Sequence, residues 1–283
     1  MSAFEGICSL EMLGLDSPSH PDEASASEPE SDDPAAKITY GGFIFMLQKL
    51  GIQLYSLPTF QFGMLVGKGT YFSVYHVKVR PTNYESLSLV ISKPETPLFD
   101  RSFIPMNTYV AFKRMKVRDD ASGLEVSDPG QLYAICREVQ ALTHPRLREH
   151  ESIIKLQAIV WENGFGTGNE SDLPMWPTLV LEYCETTLAD YQSNNSPLPK
   201  ATKLRLCSKI GAGMDALHCA DVFHGDLKSE NVLLKIGKQG EIEPKLADFG
   251  CSVVLERTDA RKGYWIGGTE MWCAPEVSLL PVR

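Results

Sequence analysis

His224-Gly225-Asp226-Leu227-Lys228-Ser229-Glu230-Asn231-Val232-Leu233-Leu234, followed seventeen positions after Asn231 by Asp248-Phe249-Gly250, is the stretch that decides how this chain is read. It comes after a helical run at 200–220 and a short apolar strand, Val222-Phe223. The Asp-Phe-Gly itself follows the strand-like Lys245-Leu246-Ala247. Alone, an Asp-Phe-Gly is usually a turn, and a His-x-Asp can be a helix cap. At this spacing the two supply a carboxylate that can accept a proton, a cation, and two oxygen ligands for a divalent metal. Phosphoryl transfer needs that set, because its transition state spreads charge over oxygens that cations must hold in line.

Working outward, the amphipathic run 200–220 places Leu204, Ile210, Met214 and Leu217 on one side and Lys200, Lys203 and Lys209 on others. Upstream, residues 153–161 and 178–184 have strand character, split by a Gly-rich, Pro-bounded insertion at 162–177. Residues 131–142 read as a helix, with Leu132, Ile135, Val139 and Leu142 at three- and four-residue spacing. FGMLV (62–66), YHVKV (75–79) and YVAFKRM (109–115) read as strands. Pro81, Pro94, Pro97 and Pro105 make 81–108 an insertion loop. Residues 40–60 stay ambiguous: Phe43, Leu47, Leu50, Leu54 and Leu57 fit a helical stripe that Gly51 interrupts.

Gly67-Lys68-Gly69-Thr70-Tyr71-Phe72-Ser73-Val74 lies between two of the predicted strands. Two glycines let backbone N–H groups approach a phosphate, although a glycine pair between strands is more often a plain hairpin. A dinucleotide fold would need a helix directly after the loop, and strand-like sequence follows instead.

Taken together, these motifs resemble the eukaryotic protein kinase family. The resemblance runs from Leu65 to Val277, about three quarters of the chain. It includes Val110-Ala111-Phe112-Lys113 on a strand and Ala274-Pro275-Glu276 near the end. It implies an α+β, two-lobed fold with a strand-rich N-lobe carrying one regulatory helix, residues 37–184 including the hinge. An incomplete helical C-lobe would occupy 185–283. It also implies roles. Gly67 and Gly69 would cover the phosphates of ATP, and Val74, Ala111 and Leu233 would line the adenine site. Lys113, paired with Glu138, would hold the α- and β-phosphates. Leu181 would be the gatekeeper, with Glu182 to Cys184 as the hinge. Asp226 would orient the substrate hydroxyl and accept its proton, Lys228 would steady the transferring phosphoryl group, and Asn231 and Asp248 would bind Mg²⁺. Leu142, His224 and Phe249 would join an apolar spine between the lobes. Lys228 at two residues after Asp226, and Gly268-Thr269-x-x-Trp272, resemble the serine/threonine branch, whose partners are ATP and a protein bearing Ser or Thr.

The chain departs from the family pattern at three places. Phe72 stands at the third glycine position of the loop. Gly225 stands where the family carries the Arg of His-Arg-Asp, which receives an activation-segment phosphate. Activity is therefore expected not to depend on phosphorylation of Ser252 or Thr258. The sequence ends seven residues after Glu276, so that carboxylate is expected to lack its usual basic partner. An exposed apolar patch is expected around the 200–220 helix and 277–280.

Composition bounds the remaining classes. The 283 residues are 43% hydrophobic and 22% charged, ordinary for a globular chain. The net charge of −9 is confined to one end: residues 1–36 hold nine of the 36 acids and no Lys or Arg, leaving 27 acids against 27 bases. Residues 1–36 are expected to form a disordered acidic tail, since 16–36 has no aromatic residue and too little apolar surface to offset ordering. No basic stripe suggests nucleic acid, and no apolar run suggests a membrane span. Seven cysteines, an odd number without a C-x-x-C, argue against a disulfide framework or zinc site. They point to the cytoplasm or nucleus, and no secretory signal is visible. Two rival functions remain: a non-catalytic module that holds nucleotide or a partner on the same scaffold, and a small-molecule phosphotransferase. Ala274-Pro275-Glu276 after Gly-Thr argues against the latter.

Overall fold

The computed structural model describes residues 40–52, 54–57, 64–69, 72–78, 88–89, 108–116, 118–119, 125–126, 129–163, 175–255 and 268–274. The acidic tail, Thr258, Glu276 and 277–280 lie outside the described residues, as does most of the 81–108 insertion.

The ambiguous stretch 40–60 is two elements. Helix α1 (Tyr40–Lys49) ends where Gly51 takes a left-handed φ of 68°. The Ile52 N–H then donates to the Leu47 carbonyl and the Gly51 N–H to that of Gln48, at 2.9 and 3.1 Å. This glycine cap stops the helix and turns the chain into β1 (Leu54–Leu57). The break in the stripe is thus the cap itself.

A seven-stranded sheet follows. It contains β1, β2 (Met64–Lys68), β3 (Phe72–Lys78), β4 (Ser88–Leu89), β5 (Tyr109–Met115), β8 (Leu156–Asn163) and β9 (Met175–Glu182). A short ribbon, β6 (Arg118–Asp119) and β7 (Glu125–Val126), lies between β5 and the next helix. The sheet order is β2-β3-β5-β9-β8-β1-β4, antiparallel except where β1 runs parallel to β8. Two sequence expectations shift here. The 162–177 insertion is narrower than read, because β8 reaches Asn163 and β9 begins at Met175. The 81–108 loop contributes the edge strand β4, whose Leu89 pairs with Tyr55.

Helix α2 (Pro129–Thr143) contains the expected 131–142 run and is buried from Gln131 to Thr143. Helices buried on all sides need cover on every face. Part of that cover is α1, which contacts α2 and places Phe43, Met46, Leu47, Leu50 and Ile52 in the same core as Leu132, Ile135, Val139 and Leu142.

Beyond β9 the chain turns helical. After β10 (Thr186–Thr187) come α3 (Leu188–Asn194) and α4 (Lys200–Cys219). The Thr187 Oγ1 caps α3 by accepting from the Asp190 N–H at 3.0 Å. In α4 the buried residues are Leu206, Gly213 and Leu217; Leu204, placed in the apolar stripe from sequence, is 61% exposed. Leu204 is the only large apolar side chain of α4 that is largely exposed, and the 277–280 part of the expected patch lies outside the described residues. Two small antiparallel sheets complete this half: β11 (Val222–Phe223) with β14 (Val253–Val254), and β12 (Val232–Ile236) between β13 (Ile242–Leu246) and β10. The backbone of 152–154 links this half to the sheet: the Ile154 N–H donates to Leu246 and the Leu246 N–H to Ser152. The architecture is α+β, strand-rich first and helical after. No helix among the described residues is long and apolar enough to cross a membrane.

Candidate active site

The cleft between the sheet and the β12–β13 hairpin collects the polar residues singled out from sequence. Its upper wall follows from strand register. Val74 on β3 pairs with Lys113 on β5, and Ala111 pairs with Leu181 on β9, so these side chains share one face of the sheet. Val74, Cys184 and Leu233 pack against the core that contains Ala111 and Leu181. Gly67 pairs with Val74 at the end of β2, and the Gly69 N–H donates to the Phe72 carbonyl at 2.9 Å, closing the loop neck.

Lys113 lies at the centre. Its ammonium donates to Glu138 Oε2 at 2.5 Å and to Asp248 Oδ1 at 2.8 Å, and its side chain is only 7% exposed. Burial disfavours the charged ammonium, yet the carboxylates of Asp248 and Glu138 outweigh it and hold its pKa above the ordinary lysine value. Glu138 comes from α2, and its full burial pushes its own pKa up against the pull of Lys113. The second oxygen, Oε1, is buried without a hydrogen-bond partner.

Asp248 sits at φ 63°, in the left-handed region that Asp tolerates better than most residues. That turn sends the Phe249 ring into the core and leaves the Asp248 carboxylate about half exposed to the cleft. The Lys113 ammonium, more than any other group, keeps its pKa below the usual aspartate value. The Phe249 ring lies 4.8 Å from His224, and Leu142 belongs to the same core. His224 is buried and bridges two loops: Nε2 donates to the Ala247 carbonyl at 3.0 Å, and Nδ1 accepts from the Asp226 N–H at 3.4 Å. This pair of contacts requires the neutral ring, and burial lowers its pKa accordingly.

Three donors converge on the Asp226 carboxylate. Lys228 Nζ reaches Oδ2 at 2.7 Å, Asn231 Nδ2 reaches the same oxygen at 2.9 Å, and the Thr269 N–H reaches Oδ1 at 2.8 Å. The same Asn231 Nδ2 also donates to the Asp226 backbone carbonyl at 2.7 Å. Burial would raise the Asp226 pKa, but hydrogen bonds from Lys228 and Thr269 overcome it and keep the group ionised. Lys228 Nζ also meets Thr269 Oγ1. With its amide nitrogen committed to Asp226, Asn231 has only its carbonyl oxygen to offer a ligand. Asp248 similarly keeps Oδ2 uncommitted. Oxygen donors of this kind suit Mg²⁺, which takes one or two protein oxygens and completes its shell with water and phosphate.

The structure brings Lys113, Glu138, Asp226, Lys228, Asn231 and Asp248 together, whereas the Glu182 carboxylate points elsewhere, as a hinge that meets adenine through its backbone allows. That group is buried and accepts from the Lys155 N–H at 3.0 Å, Lys235 Nζ at 3.0 Å and Lys245 Nζ at 3.5 Å. It ties the end of β9 to β12 and β13, leaving only backbone to face a ligand. Tyr183 beside it stacks on His76, centroids 4.1 Å apart. Ser252 is buried with its hydroxyl on the Arg137 carbonyl at 3.4 Å, so it is not an accessible phosphorylation site. In the sequence Thr269 only marks the serine/threonine branch; its contacts with Asp226 and Lys228 come from the fold. Lys116, which meets the Gly69 carbonyl, had no sequence signal.

Gly225 explains the missing Arg. Its φ is +78°, and a Cβ there would stand 2.2 Å from the Cys251 carbonyl oxygen. Its own carbonyl lies against Gly268, whose Cβ would come within 2.6 Å of it. The loop bearing Asp226 and the segment bearing Thr269 therefore meet backbone to backbone.

Comparison with known proteins agrees with this geometry. The family model "Protein kinase domain" matches residues 104–279. Serine/threonine-protein kinase fray1 of Dictyostelium discoideum is 29% identical over 186 residues, which is 65% of this chain and 28% of that protein. Misshapen-like kinase 1 of Rattus norvegicus is 38% identical over 113 residues, 39% of this chain and 8% of that protein. Cyclin-dependent kinase 4 of Xenopus laevis is 32% identical over 144 residues, 50% of this chain and 40% of that protein. In each case the chain spans less than half of the relative's length.

Proposed function

The chain belongs to the protein kinase family, and on that premise we propose that it transfers the terminal phosphoryl group of ATP to serine and threonine hydroxyls of proteins. The observation that carries this reading is the convergence of Lys228, Asn231 and the Thr269 N–H on one ionised carboxylate, Asp226.

Each residue has a task that follows from its surroundings. Gly67 and Gly69 allow the loop backbone to approach phosphate oxygens. Lys113, held by Glu138, offers charge to the α- and β-phosphates. Asp226 accepts a hydrogen bond from the incoming hydroxyl and takes its proton as the new oxygen–phosphorus bond forms and the bond from the γ-phosphorus to the bridging oxygen breaks, releasing ADP. A carboxylate of lowered pKa is a weak base, and a loose transition state asks more for orientation than for basicity. Lys228 stands beside Asp226, where charge builds on the transferring group. Asn231 and Asp248 would hold Mg²⁺, which supplies charge neutralisation between the phosphates when bound. The odd number of cysteines without a C-x-x-C pattern supports a reducing compartment, cytoplasm or nucleus.

A second reading, a partner-binding module without turnover, is favoured by the near-complete enclosure of the Lys113 ammonium. The test is incubation with Mg²⁺ and ATP labelled at the γ-phosphate, together with a Ser/Thr-rich acceptor protein and, in parallel, a small alcohol. Phosphoserine or phosphothreonine in the hydrolysate is expected. Label on neither, with the chain folded, favours the module; label on a small alcohol alone refutes the protein-substrate assignment.

A further inference from the structure

An ammonium has three N–H bonds. In Lys113 one goes to Glu138 and one to Asp248. The third side is faced by the ring of Phe72, whose centroid lies 4.8 Å from Nζ. The ring is buried, and it belongs to the core that also holds Met115 and the apolar side of α2. It reaches this position because Phe72 opens β3 directly opposite Met115, on the same face as Lys113. Glycine in its place would leave that space open. On the nucleotide reading, phosphates held by Gly67 and Gly69 would meet Lys113 on the side that the ring fills.

We propose that Phe72 gates the phosphate end of the cleft: its ring screens Lys113 in the resting protein and must swing out before a triphosphate can engage. The proposal rests on the reading of this cleft as a nucleotide site. Its consequence is a selectivity unlike that of an open loop. In this proposal the adenine end, at Val74, Ala111, Leu181 and Leu233, needs no such movement, whereas the phosphate end is open only part of the time. Apparent affinity for ATP is divided by that open fraction, while affinity for adenosine is not. The cation–π contact adds to the closed form, since the ring face attracts the ammonium it covers.

The experiment compares the wild-type chain with Phe72→Gly and Phe72→Leu by equilibrium titration with Mg²⁺–ATP and with adenosine. Thermal unfolding of each variant is recorded beside the titrations. Phe72→Gly is expected to tighten ATP binding about tenfold and to leave adenosine binding within about twofold. Phe72→Leu, which keeps apolar bulk but loses the ring face, should fall between. If Phe72→Gly does not fold, the leucine variant still carries the test, through the ratio of ATP to adenosine affinity. An unchanged ratio in the variants, or a ratio that falls, overturns the gate while leaving the nucleotide reading intact. Failure of the folded wild type to bind either ligand refutes the nucleotide reading, and the gate with it.

Discussion

Replacing Gly225 with alanine should damage the protein far more than the loss of one hydrogen atom suggests. The new methyl carbon would stand 2.2 Å from the Cys251 carbonyl oxygen and 2.9 Å from its carbon, both backbone atoms. Ordinary contact begins more than 1 Å farther out, so one of the two loops must move. A side chain at this positive φ costs about 1–2 kcal/mol by itself. Forced displacement of packed backbone adds about 1–3 kcal/mol, as overpacking does elsewhere. The total of about 2–5 kcal/mol corresponds to a midpoint lowered by roughly 5–15 °C in a chain of this size. Activity should suffer as well, because Gly225 adjoins Asp226 and Cys251 adjoins the Asp248 turn. Gly240→Ala is the matched control: its φ is +81°, but nothing lies within 4 Å of the new carbon. It should show the backbone term alone, about 1–2 kcal/mol, with phosphotransfer unchanged. The assay is thermal unfolding by circular dichroism followed by a rate measurement on the folded fraction. If Gly225→Ala and Gly240→Ala lower the midpoint equally, the collision argument is wrong. Gly225→Arg should behave no better than alanine, although arginine is what the family usually carries there.

Other consequences can be read from the same contacts. Glu182→Gln removes the charge that Lys235 and Lys245 share; the midpoint should drop by about 1–3 kcal/mol equivalent, and adenosine affinity should weaken as the hinge loosens. An unchanged affinity would mean the hinge is held by other contacts. The thiols of Cys184 and Cys251 should resist alkylation at pH 7.5, since burial pushes their pKa values up to about 12 and about 11; rapid iodoacetamide labelling of either, read by mass spectrometry, would contradict this. Stability should decline as the pH falls from 7.5 to 5.5. His224, His144 and His76 all have pKa values below the ordinary 6.5, with burial as the main cause, so the unfolded chain binds protons there that the folded chain does not. Asp248 and Asp226 act in a lower window. Their folded pKa values are depressed, so their contribution is present above the ordinary aspartate range and disappears only as the pH falls through and below it. A midpoint independent of pH between 7.5 and 5.5 would show that the three rings are solvated.

Much of the site was legible in the sequence because its polar residues keep a fixed order along the chain. His224 to Asn231 and Asp248 to Gly250 occupy two tight turns whose geometry is local, so a linear motif describes them well. Lys113 and Glu138 are 25 positions apart and lie on a strand and a helix whose apolar spacing was clear. What escaped depends on long-range packing. Whether Gly51 broke a helix or ended one could not be told until the Leu47 and Gln48 carbonyls were seen to accept from its cap. Leu204 satisfies helical spacing yet faces outward, because α4 buries the side defined by Leu206, Gly213 and Leu217. The carboxylate of Glu182 turns from the cleft because two lysines on another hairpin wait for it, and pairing across 53 and 63 positions leaves no periodic trace. The side that Phe72 faces depends on strand register, and its pairing with Met115 puts it on the face of Lys113.

The central claim is that the cleft around Asp226 performs phosphoryl transfer. The most direct measurement is single-turnover transfer of the γ-phosphate from Mg²⁺–ATP to a Ser/Thr acceptor, comparing the chain with its Asp226→Asn variant at equal folded fraction. Asparagine keeps the shape of the side chain but cannot take the hydroxyl proton. The account predicts transfer by the wild type and a loss of at least about a hundredfold in the variant, with ATP binding retained. Equal rates in the two proteins, or tight Mg²⁺–ATP binding without transfer in either, would contradict it.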